Sequence, residues 1–166
     1  MLLPIVVLTV ICIVTTAALA FTEQLTTPII EAAAAKEAET AKKEVLPLAD
    51  SFIEVSTENM PETVTAAFKA ENGEGNVFFV TVKGYGGKMK IICGIDKDGK
   101  IAGTKTLEHK ETAGLGEKTA KPQYQEQYKG KDESLQNIDF IGGATISSKA
   151  FYGAVSDAFS ANKEVK

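Results

Sequence analysis

Residues 76–107, NVFFVTVKGYGGKMKIICGIDKDGKIAGTKTL, contain three runs that are rich in β-branched and aromatic residues. The runs are Asn76–Lys83, Lys88–Asp96 and Lys100–Leu107. Residues of these types favour strands. The glycine-rich segment Gly84–Gly87 joins the first two runs, and Asp98-Gly99 marks a tight turn between the second and third. Strands joined by such short connections predict an antiparallel meander.

Helical patterns lie on both sides of the meander. Pro61–Ala70 (PETVTAAFKA) has Pro at a possible first helical position and Gly73 just beyond its end, which predicts a helix. A short helix is predicted over Pro122–Tyr128 and a longer one over Ser148–Ala161. The apolar face of the longer helix consists of Phe151, Val155 and Phe159. A run of strands with helices at either end predicts an α+β fold, a single domain whose antiparallel sheet is flanked by helices.

The N-terminal segment predicts a membrane anchor at residues 1–27. Leu2–Thr22 carries no charged side chain and is long enough to span a bilayer as a helix. A cleaved signal peptide is the alternative, since Ala18-Leu19-Ala20 resembles a cleavage site, but no basic residue precedes the apolar run. We therefore expect a single-pass protein of the cytoplasmic (inner) membrane whose soluble domain lies on the extracytoplasmic side.

Residues 28–47 predict a helical stalk between this anchor and a domain at residues 48–166. The run EAAAAKEAETAKKE at 31–44 consists of strong helix formers, and Glu39 and Lys43 are spaced to pair along a helix. The run has no continuous apolar face, so its charged side chains are expected to be solvated and Pro47 to end it.

The composition excludes several classes of function. The chain has no Arg, the usual bidentate reader of phosphates and guanine edges, and its net charge is −4, so nucleic-acid binding is not expected. Cys12 and Cys93 lie in separate segments and cannot form a metal cluster by themselves, so no metal site is predicted. No strand is followed by G-x-G-x-x-G, so oxidation of NAD(P)H by this chain alone is not expected.

Asp139–Ser148 (DFIGGATISS) is the segment most suited to bind a ligand. Gly142, Gly143 and Ala144 allow another molecule to approach the backbone, and Thr145 follows them. We expect Thr145 just ahead of a helix that Ser147 or Ser148 caps, and a helix N-terminus favours an anion. From the residues alone, a phosphate site and a plain helix-entry turn both remain open.

The pattern Asp139-x-x-Gly142-Gly143-Ala144-Thr145 resembles the flavinylation motif of FMN-binding domains, commonly D-x-x-[S/T]-G-A-T. Such domains occur in the G subunit of Rnf electron-transport complexes and in the related C subunit of the sodium-translocating NADH:quinone reductase. Four further segments follow in the family's order: Gly84–Gly87, Gly94–Asp96, Asp98–Ile101 and His109–Gly116. The anchor and stalk match as well, so the resemblance covers nearly the whole chain.

The resemblance implies that Thr145 is the covalent attachment site of FMN. In the family, a separate flavin transferase esterifies the matching Thr with the FMN phosphate and uses FAD as donor. Gly142 departs from the family's Ser or Thr, which removes one hydroxyl near the phosphate. No catalytic residue is implied in this chain. Its implied role is electron relay among other membrane subunits of a ferredoxin:NAD⁺ oxidoreductase coupled to Na⁺ or H⁺ translocation.

Glu111–Gly116 (ETAGLG) resembles the family segment that lies against the flavin, often ETPGLG. The resemblance implies that Thr112 hydrogen-bonds the cofactor and that Leu115 provides an apolar face. The implied cofactor-binding residues are Glu111, Thr112, Gly114, Leu115, Gly116, Gly142, Gly143, Ala144, Ser147 and Ser148. Three alternatives remain: a simple strand-to-helix connection at this loop, a C-type subunit of the NADH:quinone pump, and a non-redox extracytoplasmic module for FMN or another phosphorylated ligand.

Overall fold

The computed structural model describes residues 2–165. Its strands are β1 Phe52–Val55, β2 Val64–Ala70, β3 Gly75–Lys83, β4 Lys88–Asp96 and β5 Ile101–Glu108. Its helical segments are α1 Leu2–Val45, a 3-10 segment Gly116–Ala120, α2 Pro122–Gln125, a second 3-10 segment Glu126–Tyr128 and α3 Thr145–Asn162. A long apolar helix, an antiparallel sheet and further helices confirm the α+β class.

Helix α1 is one uninterrupted helix over residues for which the sequence predicts an anchor followed by a stalk. Its large apolar side chains between Leu3 and Ile30 are exposed, as at Leu8 (64%) and Phe21 (65%). Among residues 2–165, α1 is the one helix long and apolar enough to cross a membrane. The chain divides into two compact units after Glu39, so the last residues of α1 belong to the unit that contains the sheet.

The five strands form a single antiparallel sheet in chain order, which confirms the predicted meander. The three predicted strands correspond to β3, β4 and β5, each with ends within one residue of the prediction. Strands β3 and β4 pair along all nine of their residues, from Gly75 opposite Asp96 to Lys83 opposite Lys88. The edge strand β1 was not predicted, because four residues are too few to show a period.

The predicted helix over Pro61–Ala70 is wrong, since Val64–Ala70 forms β2. Two apolar residues three apart, Val64 and Ala67, reach the same core because the register shifts between Val64 and Ala66. A bulge of this kind places one extra residue in a strand, so a strand acquires a spacing that resembles a helix. Pairing with Val77–Val80 of β3 then outweighs the helix propensity of the alanines.

Apolar side chains cover both faces of the sheet. On one face α3 packs through Phe151 and Val155 against β-strand residues such as Phe78 and Ile91, all fully or almost fully buried. The other face carries a second cluster that includes Val77 and Ile92 from the sheet. Its cover comes from the end of α1 and the segment after it, through Ala41, Val45, Leu46 and Ala49. The sheet is therefore the middle layer of this unit.

The end of the predicted stalk is part of this cover. Gly94 and Gly103 pair across β4 and β5, and a Cβ on either would press on the Val45 backbone. The absence of side chains at these two positions therefore lets Val45 pack directly against the sheet. Lys42, predicted to be solvated, is only 3% exposed, and its Nζ lies 4.0 Å from the centre of the Phe68 ring. The helix ends at Val45 rather than at the predicted Pro47, because proline disfavours a helical backbone at the residue before it.

Candidate cofactor site

The segment that leads into α3 presents Thr145 at an accessible position. Thr145 is the first residue of the helix and is exposed. Before it, the Ala144 N–H donates to the Ile141 carbonyl at 3.0 Å, which closes a turn. Gly143 has φ +80°, a left-handed conformation that glycine adopts without strain. The hydroxyl of Thr145 is therefore available to a reagent that approaches over small residues.

The prediction that Ser147 or Ser148 caps this helix is wrong, and the helix begins three residues before the predicted Ser148. The Ser147 hydroxyl donates to Glu111 Oε2 at 2.5 Å, and the Ser148 hydroxyl accepts from the Ile141 N–H at 3.1 Å. Both serines are buried. Their partners are distant in sequence or lie before the helix, so the local pattern alone could not distinguish these roles from capping.

The first turn of α3 offers unpaired N–H groups. Ala144 occupies the N-cap position and provides no side-chain acceptor, and the first helical hydrogen bond runs from the Ser148 N–H to the Ala144 carbonyl at 2.9 Å. Within residues 2–165, no acceptor receives the N–H groups of Thr145, Ile146 or Ser147. Such groups, together with the positive end of the helix dipole, favour an anion such as phosphate.

A pocket of about 400 Å³ opens beside this helix end. Its lining residues are Tyr85, Glu111, Thr112, Leu115, Gly116, Gly143, Ala144, Thr145, Ile146 and Ser147. They come from three separate segments, and the volume is in the range of small-molecule sites. A second groove, of about 450 Å³, lies between the end of α1, β5 and α2, and none of the predicted site residues lines it.

Eight of the eleven predicted site residues line the pocket. The remaining three, Gly114, Gly142 and Ser148, do not. Gly114 shapes the loop, since its φ is +75° and its N–H donates to Glu117 Oε2 at 3.0 Å. Gly142 is exposed, with open space where a Cβ would lie. The hydrogen bonds of Gly114 and Ser148 therefore fix segments that form the pocket, whereas Gly142 is an exposed position of the turn before Thr145.

Tyr85 and Ile146 also line the pocket and were not predicted as site residues. Both are exposed apolar side chains, Tyr85 at 71% and Ile146 at 56%. The sequence does indicate an exposed aromatic side chain at Tyr85, because the glycines at 84 and 86 have no side chains to cover it. Ile146 gave no comparable indication, since its place beside the pocket depends on where α3 begins.

The loop after Glu111 is held by its own hydrogen bonds. The Thr112 carbonyl accepts from the N–H groups of Leu115 and Glu117, each at 3.2 Å. The hydrogen bond from the Gly114 N–H, and then the charge of Lys121, lower the pKa of Glu117. Leu115 remains 46% exposed at the pocket wall. The loop therefore presents an apolar side chain from a fixed backbone.

The structure gives the buried cysteine no place in this site. Cys93 is fully buried in the core under α3, and burial raises the pKa of its thiol to about 12. It is therefore a neutral thiol at neutral pH rather than a nucleophilic thiolate. Over residues 2–165, no group of three or more His, Cys, Asp and Glu side chains is arranged to hold a metal ion.

These features define an α+β binding domain for a phosphorylated ligand. Unpaired N–H groups and the Thr145 hydroxyl suit a phosphate at one end of the pocket. Tyr85, Leu115 and Ile146 suit the apolar, planar part of a ligand in the rest of it. The donor set therefore fits FMN, which combines a phosphate with a flat ring system.

Comparison with known proteins gives the family. The FMN-binding domain family matches residues 84–160. The G subunit of an ion-translocating oxidoreductase complex from Methanosarcina acetivorans is 32% identical over 93% of this chain and 90% of its own length. The G subunit of the Na⁺-translocating ferredoxin:NAD⁺ oxidoreductase complex from Acetobacterium woodii is 32% identical over 90% of this chain and 85% of its own. The chain belongs to this family of FMN-binding G subunits of Rnf-type complexes.

A solved structure shares the fold. The C subunit of the Na⁺-translocating NADH-quinone reductase from Parabacteroides distasonis superposes with a TM-score of 0.51 at 19% sequence identity. The similarity covers 76% of this chain and 82% of that one. At this identity the comparison establishes the architecture of the domain and carries no residue roles.

Proposed function

We propose that this chain carries FMN as a phosphate ester of Thr145 and relays electrons in an Rnf-type ferredoxin:NAD⁺ oxidoreductase. The observation that carries the proposal is the exposed Thr145 hydroxyl at the unpaired N-terminus of α3, on the rim of the pocket. The names of the relatives from M. acetivorans and A. woodii support the assignment of this chain to such a complex. The family name supports FMN as the cofactor.

The attachment proceeds as a transfer from FAD catalysed by a flavin transferase. The Thr145 oxygen forms a bond to the phosphorus on the FMN side of the diphosphate, and the bond from that phosphorus to AMP breaks. AMP leaves, and the hydroxyl proton is released. The protein gains the mass of one FMN less one water.

The bound flavin supplies the redox chemistry, and the residues of this chain hold it. The N–H groups of the first turn of α3 bind the phosphate, and Leu115 and Tyr85 cover apolar surface. Helix α1 anchors the protein in the inner membrane, with the domain on the extracytoplasmic side. A covalent bond keeps the flavin in place where a dissociated cofactor would be lost by dilution. Its electron-transfer partners are other membrane subunits of the complex. This role is the same whether the complex translocates Na⁺ or H⁺.

Intact mass after production with and without a flavin transferase tests this proposal. We expect the FMN-less-water gain only with the transferase, and a yellow band that survives denaturing electrophoresis. Thr145→Val keeps the shape and removes the hydroxyl, so it should abolish the gain, whereas the control Thr145→Ser should retain it. Modified Thr145→Val protein would exclude Thr145 as the attachment site. A flavin that is bound but is not reduced by dithionite would indicate the non-redox alternative.

A further inference from the structure

Glu111 is a buried carboxylate in the wall of the pocket. Its side chain is 9% exposed, and both of its oxygens accept hydrogen bonds. Oε1 accepts from the Gly86 N–H at 3.2 Å, and Oε2 accepts from the Ser147 hydroxyl at 2.5 Å. The donors belong to two other segments, the turn after β3 and the first turn of α3. One carboxylate therefore connects three segments around the pocket.

The surrounding backbone is shaped to admit this carboxylate. A Cβ at Gly84 would collide with Glu111 Oε1, and a Cβ at Gly116 would collide with Oε2 and with the Ser147 hydroxyl. Neither glycine has the left-handed backbone that would itself require glycine. Gly84 and Gly116 are therefore explained by the space that the Glu111 side chain occupies.

We propose that Glu111 positions the three segments around the pocket and that its buried negative charge lowers the midpoint potential of the flavin. The inference rests on the proposed function, because it requires FMN in this pocket. It adds a role that Thr145 cannot have, since Thr145 only attaches the cofactor. Glu111 acts on the cofactor through its charge and through Gly86 and Ser147.

The sign follows from electrostatics. Reduction adds negative charge to the flavin, and a fixed anion in the same pocket opposes it. The interaction is strong where solvent is excluded, and it is weak for exposed acids, which water and salt screen. The donors on Gly86 and Ser147 withdraw part of the charge, so removing a donor has the opposite effect to removing the carboxylate.

The test is a redox titration of the covalently loaded protein, followed by flavin absorbance. Glu111→Gln keeps the shape and removes the charge. We expect at least a tenfold increase in the equilibrium constant for one-electron reduction, which is an upward shift of at least about 59 mV. Glu58→Gln is the matched control, since it removes one charge from an exposed loop outside the pocket, and its potential should equal that of the wild type.

A second variant separates charge from structure. Ser147→Ala keeps the carboxylate and removes the donor to Oε2, so the midpoint potential should fall. Loosening of the pocket alone would move both variants in the same direction. Opposite shifts therefore support the inference. Equal potentials in the wild type, Glu111→Gln and Ser147→Ala, or shifts of the same sign, would overturn it.

The unmodified protein tests the positioning role without flavin. Glu111→Gln should unfold at lower urea concentration than the wild type, because the charge-assisted hydrogen bonds that the carboxylate accepts from Gly86 and Ser147 become weaker neutral ones. An unchanged midpoint would refute the positioning role. If Glu111→Gln takes up no flavin, the direction of the Ser147→Ala shift decides the redox role. A wild type without covalent flavin overturns the proposed function, whereas a loaded wild type with unshifted variants overturns only this inference.

Discussion

The two leucines on either side of Pro47 provide a test of the observation that apolar side chains pack on both faces of the sheet. Leu46 is 2% exposed in the cluster against Val77 and Ile92, whereas Leu48 is 72% exposed. Leu46→Ala removes buried methyl and methylene groups and leaves a cavity, which costs about 2–5 kcal/mol of unfolding free energy. Leu48→Ala removes solvated atoms, and its effect should stay within about 0.5 kcal/mol. The same substitution at two positions two residues apart thus distinguishes a leucine that packs on the sheet from one that is exposed to solvent.

The measurement is urea unfolding of the full chain in detergent micelles, followed by tyrosine fluorescence. All four tyrosines lie at or after residue 85 and the chain has no Trp, so the signal reports the unit that contains the sheet. With a denaturant slope of about 2 kcal/mol per molar, Leu46→Ala should lower the midpoint by about 1–2.5 M. Equal midpoints for Leu46→Ala and Leu48→Ala would refute the claim that the segment directly after α1 covers the sheet.

Two further predictions concern the attachment turn and the core. Gly142→Ser restores the hydroxyl that the related motif carries, and open space surrounds that position. Its modification by limiting flavin transferase should therefore be faster, with unchanged stability of the fold. Gly143→Ser is the control, and it should be modified more slowly and be less stable, since φ is +80° at that residue. No gain with Gly142→Ser would deny this position a role in modification. Burial raises the pKa of Cys93 to about 12, so the folded protein keeps a thiol proton that the unfolded chain releases above its ordinary pKa of about 8.5. That contribution to the free energy of unfolding is intact below about pH 8.5 and falls by about 1.4 kcal/mol per pH unit as the pH rises toward 12. The urea midpoint of the wild type should fall over this pH range, and the midpoint of Cys93→Ala should not show this part of the decrease.

The meander was predictable because its evidence is local. Strands β3, β4 and β5 alternate or concentrate β-formers between turns rich in Gly and Asp, and each is found within one residue of its predicted ends. Strand β2 was not predictable in the same way. Pro61 and Gly73, which predict the two ends of a helix, instead flank a strand, and the bulge in that strand depends on its pairing with β3.

The pocket was predictable only in part, for a related physical reason. The segments at Glu111–Gly116 and Gly143–Thr145 could be found from their residues and their resemblance to a family. The Ser147 hydroxyl could not be assigned, because its acceptor Glu111 lies 36 positions away. The predicted solvation of Lys42 is wrong for the same reason, since the Phe52 and Phe68 rings over which its Nζ lies belong to strands. A charged side chain is solvated only where no tertiary partner competes with water.

The proposed attachment at Thr145 accounts for the missing cap of α3. Ser, Thr, Asp or Asn at an N-cap stabilises a helix by about 1 kcal/mol relative to Ala, yet Ala144 occupies this position and leaves three N–H groups unpaired. A capping side chain would occupy one of those donors and would also stand next to Thr145. A phosphate ester on Thr145 can satisfy the donors instead and gains from the helix dipole. Under the proposed function, the small residue at Ala144 gives up stability in the unmodified protein and attachment of the cofactor restores it, which couples maturation of the domain to its folding free energy.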